Sequence, residues 1–500
     1  MTLESQAAPT GRDTLLTTEL VPEQILPKVM TTFGLTSTYV FIICWLTGSS
    51  IMAGAGWQAI PFWVLGVVFF LLPAGLAVSE LGNLWPGQGG VYIWAHRTMG
   101  EGAAFVGGFL SWIPVILNGA SSPAIILQLA LLAFHSTLGV TVSVILQLVI
   151  LWAIVGMSLA KLAANQKVIN GVFVFYGVLT VVLFVCGVLW AGKHGSATDF
   201  SWKDVTVPNF ATGGFLFGTV LLYLVGVETP FNMGAEFLSV KRSATKMIFW
   251  GSISLMVIYL LTTISTFLIE EPGKFDSVTG VVGVLDKAGF PGLMEIAALG
   301  MLVIVFIAMT TYQIAYSRLI FVSGLEKHLP RIFTHLNPRT RNPVTALLVQ
   351  GVISSLILVG LFSQASMEHV TLYLTGGLSV VWLLSGFFFF IPPLIARVKY
   401  ADRYATEDFW RIPGGTPAVW ATCLVGMVGT AVGIYYSIAV SWTADVSNGT
   451  WATWVIAITA GVFVGMGLVY FFGRRAASKL NEEDSLAHLA KFDLTEPGTA

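Results

Sequence analysis

One carboxyl in this chain stands where a carboxyl is hard to keep. Glu228 follows the apolar run Leu222-Tyr223-Leu224-Val225-Gly226-Val227 and precedes Thr229 and Pro230. An ionisable side chain near the centre of a membrane costs about 2.5–3.5 kcal/mol on insertion scales, so it marks an ion or proton route by default. The other reading is a protonated carboxyl bonded to a neighbouring helix. Gly226 and Pro230 weaken the helical ladder around it, and broken backbone at that depth must face protein or a water-filled cavity. A second weak stretch reads Thr47-Gly48-Ser49-Ser50-Ile51-Met52, although Gly48, Met52 and Gly56 also have the spacing of a close helix contact. Thr310-Thr311-Tyr312-Gln313 is too polar for a lipid-facing surface, and Tyr312 is either a stacking group or an interior hydroxyl with a partner. Asn118, beside Gly119, is either a ligand contact or a helix–helix hydrogen bond.

The chemistry these residues offer is non-covalent binding and proton transfer. Seven histidines occur without H-E-x-x-H or any paired spacing, and there is no G-x-S-x-G elbow or phosphate loop. Cys44, Cys186 and Cys423 each lie in an apolar run, with neither a disulfide nor a zinc spacing. No metal and no cofactor is expected, and an enzyme embedded in the membrane is a remote alternative. A channel is the other, but channels rely on rings of like groups.

The elements that must position these residues are membrane helices. Of 500 residues 55% are hydrophobic and 10% charged, too little charge to coat a soluble body of this size. A net charge of −1 excludes nucleic acid as a partner, and the abundance of large apolar residues excludes disorder. A span needs roughly 20 apolar residues. Twelve runs qualify, and we number them spans 1–12: 32–56, 61–85, 103–134, 138–160, 168–192, 212–237, 247–269, 292–324, 343–363, 368–396, 416–442 and 451–473. The first 30 residues carry Glu4, Asp13, Glu19 and Glu23, so they do not form the basic start of a signal peptide.

With twelve spans, all but four of the 25 Lys and Arg residues fall on one side, the exceptions being Lys193, Lys203, Lys274 and Lys287. By the positive-inside rule both termini are cytoplasmic, and the expected location is the cell membrane, plasma or inner.

Spans 1 and 6, the two interrupted ones, are the first members of two sets of five. Interrupted segments in corresponding positions point to an inverted-repeat transporter that binds its substrate between the breaks. The expected organisation is a cytoplasmic segment, 1–30, and a transport core, 31–396, made of repeats 31–192 and 212–396. Helices 11 and 12 follow at 397–473, then a cytoplasmic tail, 474–500.

Four stretches carry a family resemblance. They are Ser79-Glu80-Leu81 with Trp85-Pro86-Gly87-Gln88-Gly89-Gly90-Val91-Tyr92; Gly226-Val227-Glu228 with Glu236; Ser317-Arg318 with Leu329-Pro330 and Arg341-Asn342-Pro343-Val344; and Trp410-Arg411-Ile412-Pro413-Gly414-Gly415. In this order they resemble the amino acid–polyamine–organocation (APC) transporter superfamily over about residues 28–473. The resemblance implies an all-α integral membrane protein with the LeuT-type 5+5 inverted repeat and interrupted helices 1 and 6. It also implies a permease or antiporter that moves an amino acid or related amine by alternating access, coupled to protons or to a counter-substrate.

The first spans are most similar to bacterial glutamate/GABA antiporters. Tyr312 replaces their Trp, however, Ala308 replaces a site Glu, and Leu383 and Phe387 replace tyrosines on span 10, which speaks against glutamate. On span 5, Tyr176 takes the place of a Lys that stands in for a cation in some proton-coupled members. Sodium coupling stays open, since Thr310 or Thr311 with span 1 carbonyls could hold a cation.

Family geometry placed on these residues makes Gly48 and the N–H groups of Ser49, Ser50 and Ile51 a carboxylate cradle at a half-helix N-terminus. Free carbonyls near Thr47 and over Leu222–Val225, with Gly226 beside them, suit an ammonium. Asn118, Tyr223, Val227, Tyr312, Trp382 and Ser385 form the side-chain compartment, with Glu228 as the proton-coupling candidate. No second acid lies deep in the centre, which favours a neutral or small amino acid. Glu80 and Glu236 are expected to anchor Arg or Lys at the cytoplasmic ends.

Overall fold

The computed structural model describes residues 16–362, 367–443, 445–477 and 489. Most of the expected tail and the first 15 residues of the N-terminal segment lie outside them. Apolar runs become helices because lipid offers the backbone no hydrogen-bond partner, so each segment must satisfy its own N–H and C=O groups. Among the described residues there is no strand, only an isolated bridge between Met30 and Phe237. Among the described residues nine helices are long and apolar enough to cross a membrane, and the bent pair Thr32–Ile43 and Leu46–Ala53 makes a tenth. Two shorter apolar helices, Gly213–Leu222 and Val344–Gly360, lie where spans 6 and 9 are expected. The chain is thus an all-α, multi-pass membrane protein.

Several helices exceed the roughly 20 residues a perpendicular crossing needs, so they tilt. Glu101–Ala133, Leu162–His194 and Met367–Lys399 each have 33 residues, and Pro291–Leu325 has 35. Burial separates the layers. Span 3 is 78% buried over its most apolar window and span 10 is 72%, whereas span 4 is 28% and span 12 only 11%. Spans 1, 3, 6, 8 and 10 therefore meet at the centre, while spans 4, 5, 11 and 12 give most of their surface to lipid.

The face rich in basic residues is held by buried ion pairs. Glu80 ends span 2 fully buried and accepts from Arg397 at 3.0 and 2.7 Å, from the Tyr404 hydroxyl and from the Ile412 N–H. Glu236 accepts from Arg318 at 2.8 Å, and Arg318 also donates to Asn342. Asn342 in turn donates to the carbonyls of Ser158 and Ala160. Both acids thus anchor arginines, as their positions suggested. The helix Thr17–Ile25 and the end of span 12 reach this face as well. Glu19, in the short helix Thr17–Ile25, pairs with Arg97, and His328 bridges the Tyr92 hydroxyl and Glu101 beside the end of span 12. Burial pushes the His328 imidazole below its usual range, against the opposing pull of Glu101.

Candidate functional site

The backbone of span 1 breaks earlier than its sequence suggested. Its first half ends at Ile43, Cys44 and Trp45 are extended, and the second half starts at Leu46. The expected cradle of Ser49, Ser50 and Ile51 is therefore corrected: with Gly48 these residues lie inside the second half-helix.

The reason is the supply of partners for the freed groups. The Tyr259 hydroxyl, from span 7, donates to the Ile43 carbonyl at 2.7 Å and accepts from the Trp45 N–H at 3.1 Å. The Tyr176 hydroxyl, from span 5, donates to the Cys44 carbonyl at 3.2 Å, and Trp45 Nε1 donates to the Ile42 carbonyl at 3.1 Å. Freed backbone groups persist at membrane depth only where such partners exist.

The small residues of the second half serve packing instead. A Cβ at Gly48 would come within 2.5 Å of the Tyr223 ring. Ser49 hydrogen-bonds Thr262 at 2.7 Å, and the Ser50 hydroxyl accepts from the Val281 N–H. Because Gly48 N–H already donates to Trp45, helix geometry leaves Leu46 and Thr47 as the free N–H groups at this N-terminus. Tyr259→Phe is expected to destabilise the protein by about 1–3 kcal/mol, since it strands a buried carbonyl and a buried N–H. A thermal unfolding curve in detergent, compared with wild type, checks this.

Span 6 breaks between Leu222, where its first helix ends, and Thr229, where a 3-10 helix runs to Glu236. Gly226 lies in the break with φ +108°, and a Cβ there would meet Trp382 at 2.8 Å, so glycine is needed on both counts. Val225 and Val227 flank it, fully buried.

Glu228 is fully buried. Its Oε1 accepts from Trp382 Nε1 and Ser111 at 3.3 Å and from Thr229 at 3.4 Å. Oε2 has no hydrogen-bond partner among the described residues, and no basic side chain there pairs with the acid.

The rings of Trp45, Tyr312 and Trp382 meet edge to face at 5.7 Å and form an aromatic floor to a cavity of about 30 Å³ that all three line. Asn118, Tyr223, Tyr312 and Trp382, expected from the sequence as substrate contacts, line it together with Thr47, near which free carbonyls were expected, and with Trp45, Ser121 and Thr375, which sequence reasoning missed as contacts. Ser385 does not reach the cavity; its hydroxyl donates to the Trp382 carbonyl. Ligand pockets measure about 300–1,000 Å³, so the cavity is contracted around its centre.

Two further observations bear on ions. The Thr310 and Thr311 hydroxyls donate back to Phe306 and Ile307 of their own helix. Among the described residues no group of three or more His, Cys, Asp or Glu could hold a metal.

Comparison with known proteins follows this geometry. The family model described as amino acid permease matches residues 29–479. A probable agmatine/putrescine antiporter, AguD of Lactococcus lactis, is 23% identical over 65% of this chain and 72% of its own length. The glutamate/serine transporter AimA of Bacillus subtilis is 23% identical over 82% of this chain and 84% of its own. Among solved structures, a variant of the manganese transporter of Eremococcus coleocola superposes with a TM-score of 0.58 at 13% identity, covering 89% of this chain and 94% of that one. At that identity the match speaks for the fold alone, which is the LeuT type.

Proposed function

The chain belongs to the amino acid permease family and is a secondary transporter of amino acids or amines, and from that premise we propose how its site works. The substrate binds in the cavity between the two broken spans, and alternating access carries it across. The observation that carries this reading is the cavity itself, lined from spans 1, 3, 6, 8 and 10 at the level of both breaks. A substrate carboxylate is received by the free N–H groups at Leu46 and Thr47, where the half-helix dipole favours an anion. The residues proposed around it are Asn118, Tyr223, Tyr312 and Trp382, with Val225 and Gly226 supplying carbonyls. Ser49, Ser50 and Ile51 are not proposed as contacts.

Glu228 is the proton-linked group. The acid is fully buried with an unpartnered Oε2 among the described residues, and Trp382, which donates to it, is also part of the cavity floor. Losing or gaining the proton changes the strength of the hydrogen bond that Trp382 donates, and so links the floor to pH. Driving by protons or by a counter-substrate fits this arrangement better than sodium does. The carbonyls of Ile42, Ile43 and Cys44 are already occupied by side chains of this chain, and both threonines of span 8 are turned onto their own helix. The basic-rich face is taken as cytoplasmic and the host as the cell membrane, by the positive-inside rule.

A second reading is a cationic amine as substrate. The occupied carbonyls leave a zwitterion's ammonium fewer partners, whereas the aromatic floor offers a cation the faces of Trp45, Tyr312 and Trp382. Agmatine, putrescine, glutamate and serine, named for the two relatives, are first choices for a screen.

Counterflow of radiolabelled amino acids and amines in proteoliposomes tests both readings. A saturable response to either class is expected, and none from any member would defeat the proposal. Replacing Na⁺ by choline is expected to leave uptake within roughly twofold, a difference too small in free energy to be a lost coupling ion.

A further inference from the structure

We infer that protons reach Glu228 from the cytoplasm along a hydrated track built by Asn232 and Gln88, which rests on the proton-linked reading of Glu228. In the 3-10 helix after the break, Asn232 lies just over one turn beyond Glu228. It is fully buried, yet neither Nδ2 nor Oδ1 has a hydrogen-bond partner among the described residues. Gln88 is also fully buried; its Oε1 accepts from the Ala235 N–H at 3.0 Å, but its Nε2 has no such partner. With Oε2 of Glu228 this makes three unserved polar groups along one short helix. More than about 90% of buried polar groups in proteins are paired, and those the protein leaves over are commonly served by ordered water.

The groups are arranged in order. The turn Gly87–Gly90 packs against span 6, with Asn232 Oδ1 at 3.4 Å from where a Cβ on Gly90 would stand. On its other side the same turn meets Glu19, whose Cγ is 3.6 Å from a Cβ position on Gly87. Glu19, Glu23, Pro86 and Arg97 border a cavity of about 450 Å³ on the cytoplasmic face. The track therefore runs from this cavity past Gln88 and Asn232 to Glu228, which Trp382 of the aromatic floor contacts.

The titratable groups around the acid are the buried tyrosines Tyr316, bonded to Thr229 at 2.7 Å, Tyr312, edge to face with Trp382, and Tyr39 on span 1. The pairs Glu236–Arg318 and Glu19–Arg97 stand at the cytoplasmic end. A proton passes from water in the track to the Glu228 carboxylate, giving the carboxylic acid, and the reverse step returns it to water; nothing else is exchanged.

Asn232→Leu is the informative variant, because it removes no hydrogen bond to the described protein and so should not weaken the fold. In proteoliposomes the ratio of pH-driven uptake to substrate exchange is expected to fall about tenfold, less than the roughly 10²–10⁴-fold of a group that itself transfers the proton, because Asn232 only holds water. Asn232→Ser, which keeps a polar group, is expected to recover most of it. A ratio within roughly twofold of wild type, with Glu228→Gln still abolishing the pH response, would overturn the track and leave the role of Glu228 standing. Loss of any effect in Glu228→Gln would overturn both. Should Asn232→Leu not assemble, hydroxyl-radical footprinting by radiolysis reads the wild type directly. Labelling of the segment 229–236 supports internal water, and an unlabelled segment overturns it.

Discussion

Glu228→Gln is expected to abolish the stimulation of uptake by an imposed pH gradient while the protein still folds and reaches the membrane. The amide keeps an oxygen where Oε1 accepts from Trp382, Ser111 and Thr229, so the packing around the break changes little. It cannot gain or lose a proton, however, and no basic side chain among the described residues pairs with the acid to make it a structural ion. The expected loss of pH-driven uptake is about a hundredfold or more, the range for removal of a positioned proton-transfer group. Initial rates in proteoliposomes over a series of internal and external pH values measure it. Unchanged uptake with an unchanged pH profile would remove the proton-linked role. Loss of all transport at every pH, with binding retained, would instead make the acid a general requirement of the conformational cycle.

The second large effect lies away from the cavity. Arg318→Met strands the Glu236 carboxylate, whose side chain is 0% exposed against 1% for Arg318. Removing one partner of a buried pair costs about 3–5 kcal/mol, because the remaining charge has neither water nor counter-charge. Asn342 loses a donor at the same time, and through it the tie to the end of span 4. That is a large part of the roughly 5–15 kcal/mol that holds most domains together. Most of the protein should fail to appear as a monodisperse species in detergent. Replacing both residues, Arg318→Met with Glu236→Leu, should recover much of the thermal stability, since apolar replacement of a whole buried pair is often neutral. A double variant no more stable than the single one would show that the pair does more than cancel its own charges.

These two residues illustrate how far the sequence was readable. Arg318 and Glu236 stood out because charge is rare here, and their pairing agrees with their positions at the ends of spans. Glu228 stood out for the same reason. Asn118, Tyr223, Tyr312 and Trp382 were recognisable as polar or aromatic residues on otherwise apolar helices, and they meet at one cavity. Ser49, Ser50 and Ile51 misled because small polar residues allow a helix to break but do not oblige it to. Trp45 was passed over because a large apolar residue in an apolar run carries no local mark of its role.

The sequence by itself determined the solvent, the approximate helices, the one-sided distribution of basic residues and the presence of two weak stretches. Each follows from local composition set against the cost of burying charge and unpaired backbone in lipid. Where the first break falls was decided only by tertiary structure. The groups that satisfy the carbonyls of Ile43 and Cys44 are hydroxyls of Tyr259 and Tyr176, 216 and 132 residues away along the chain. A backbone can leave its helix inside a membrane only where such partners wait, and no local window of sequence contains them.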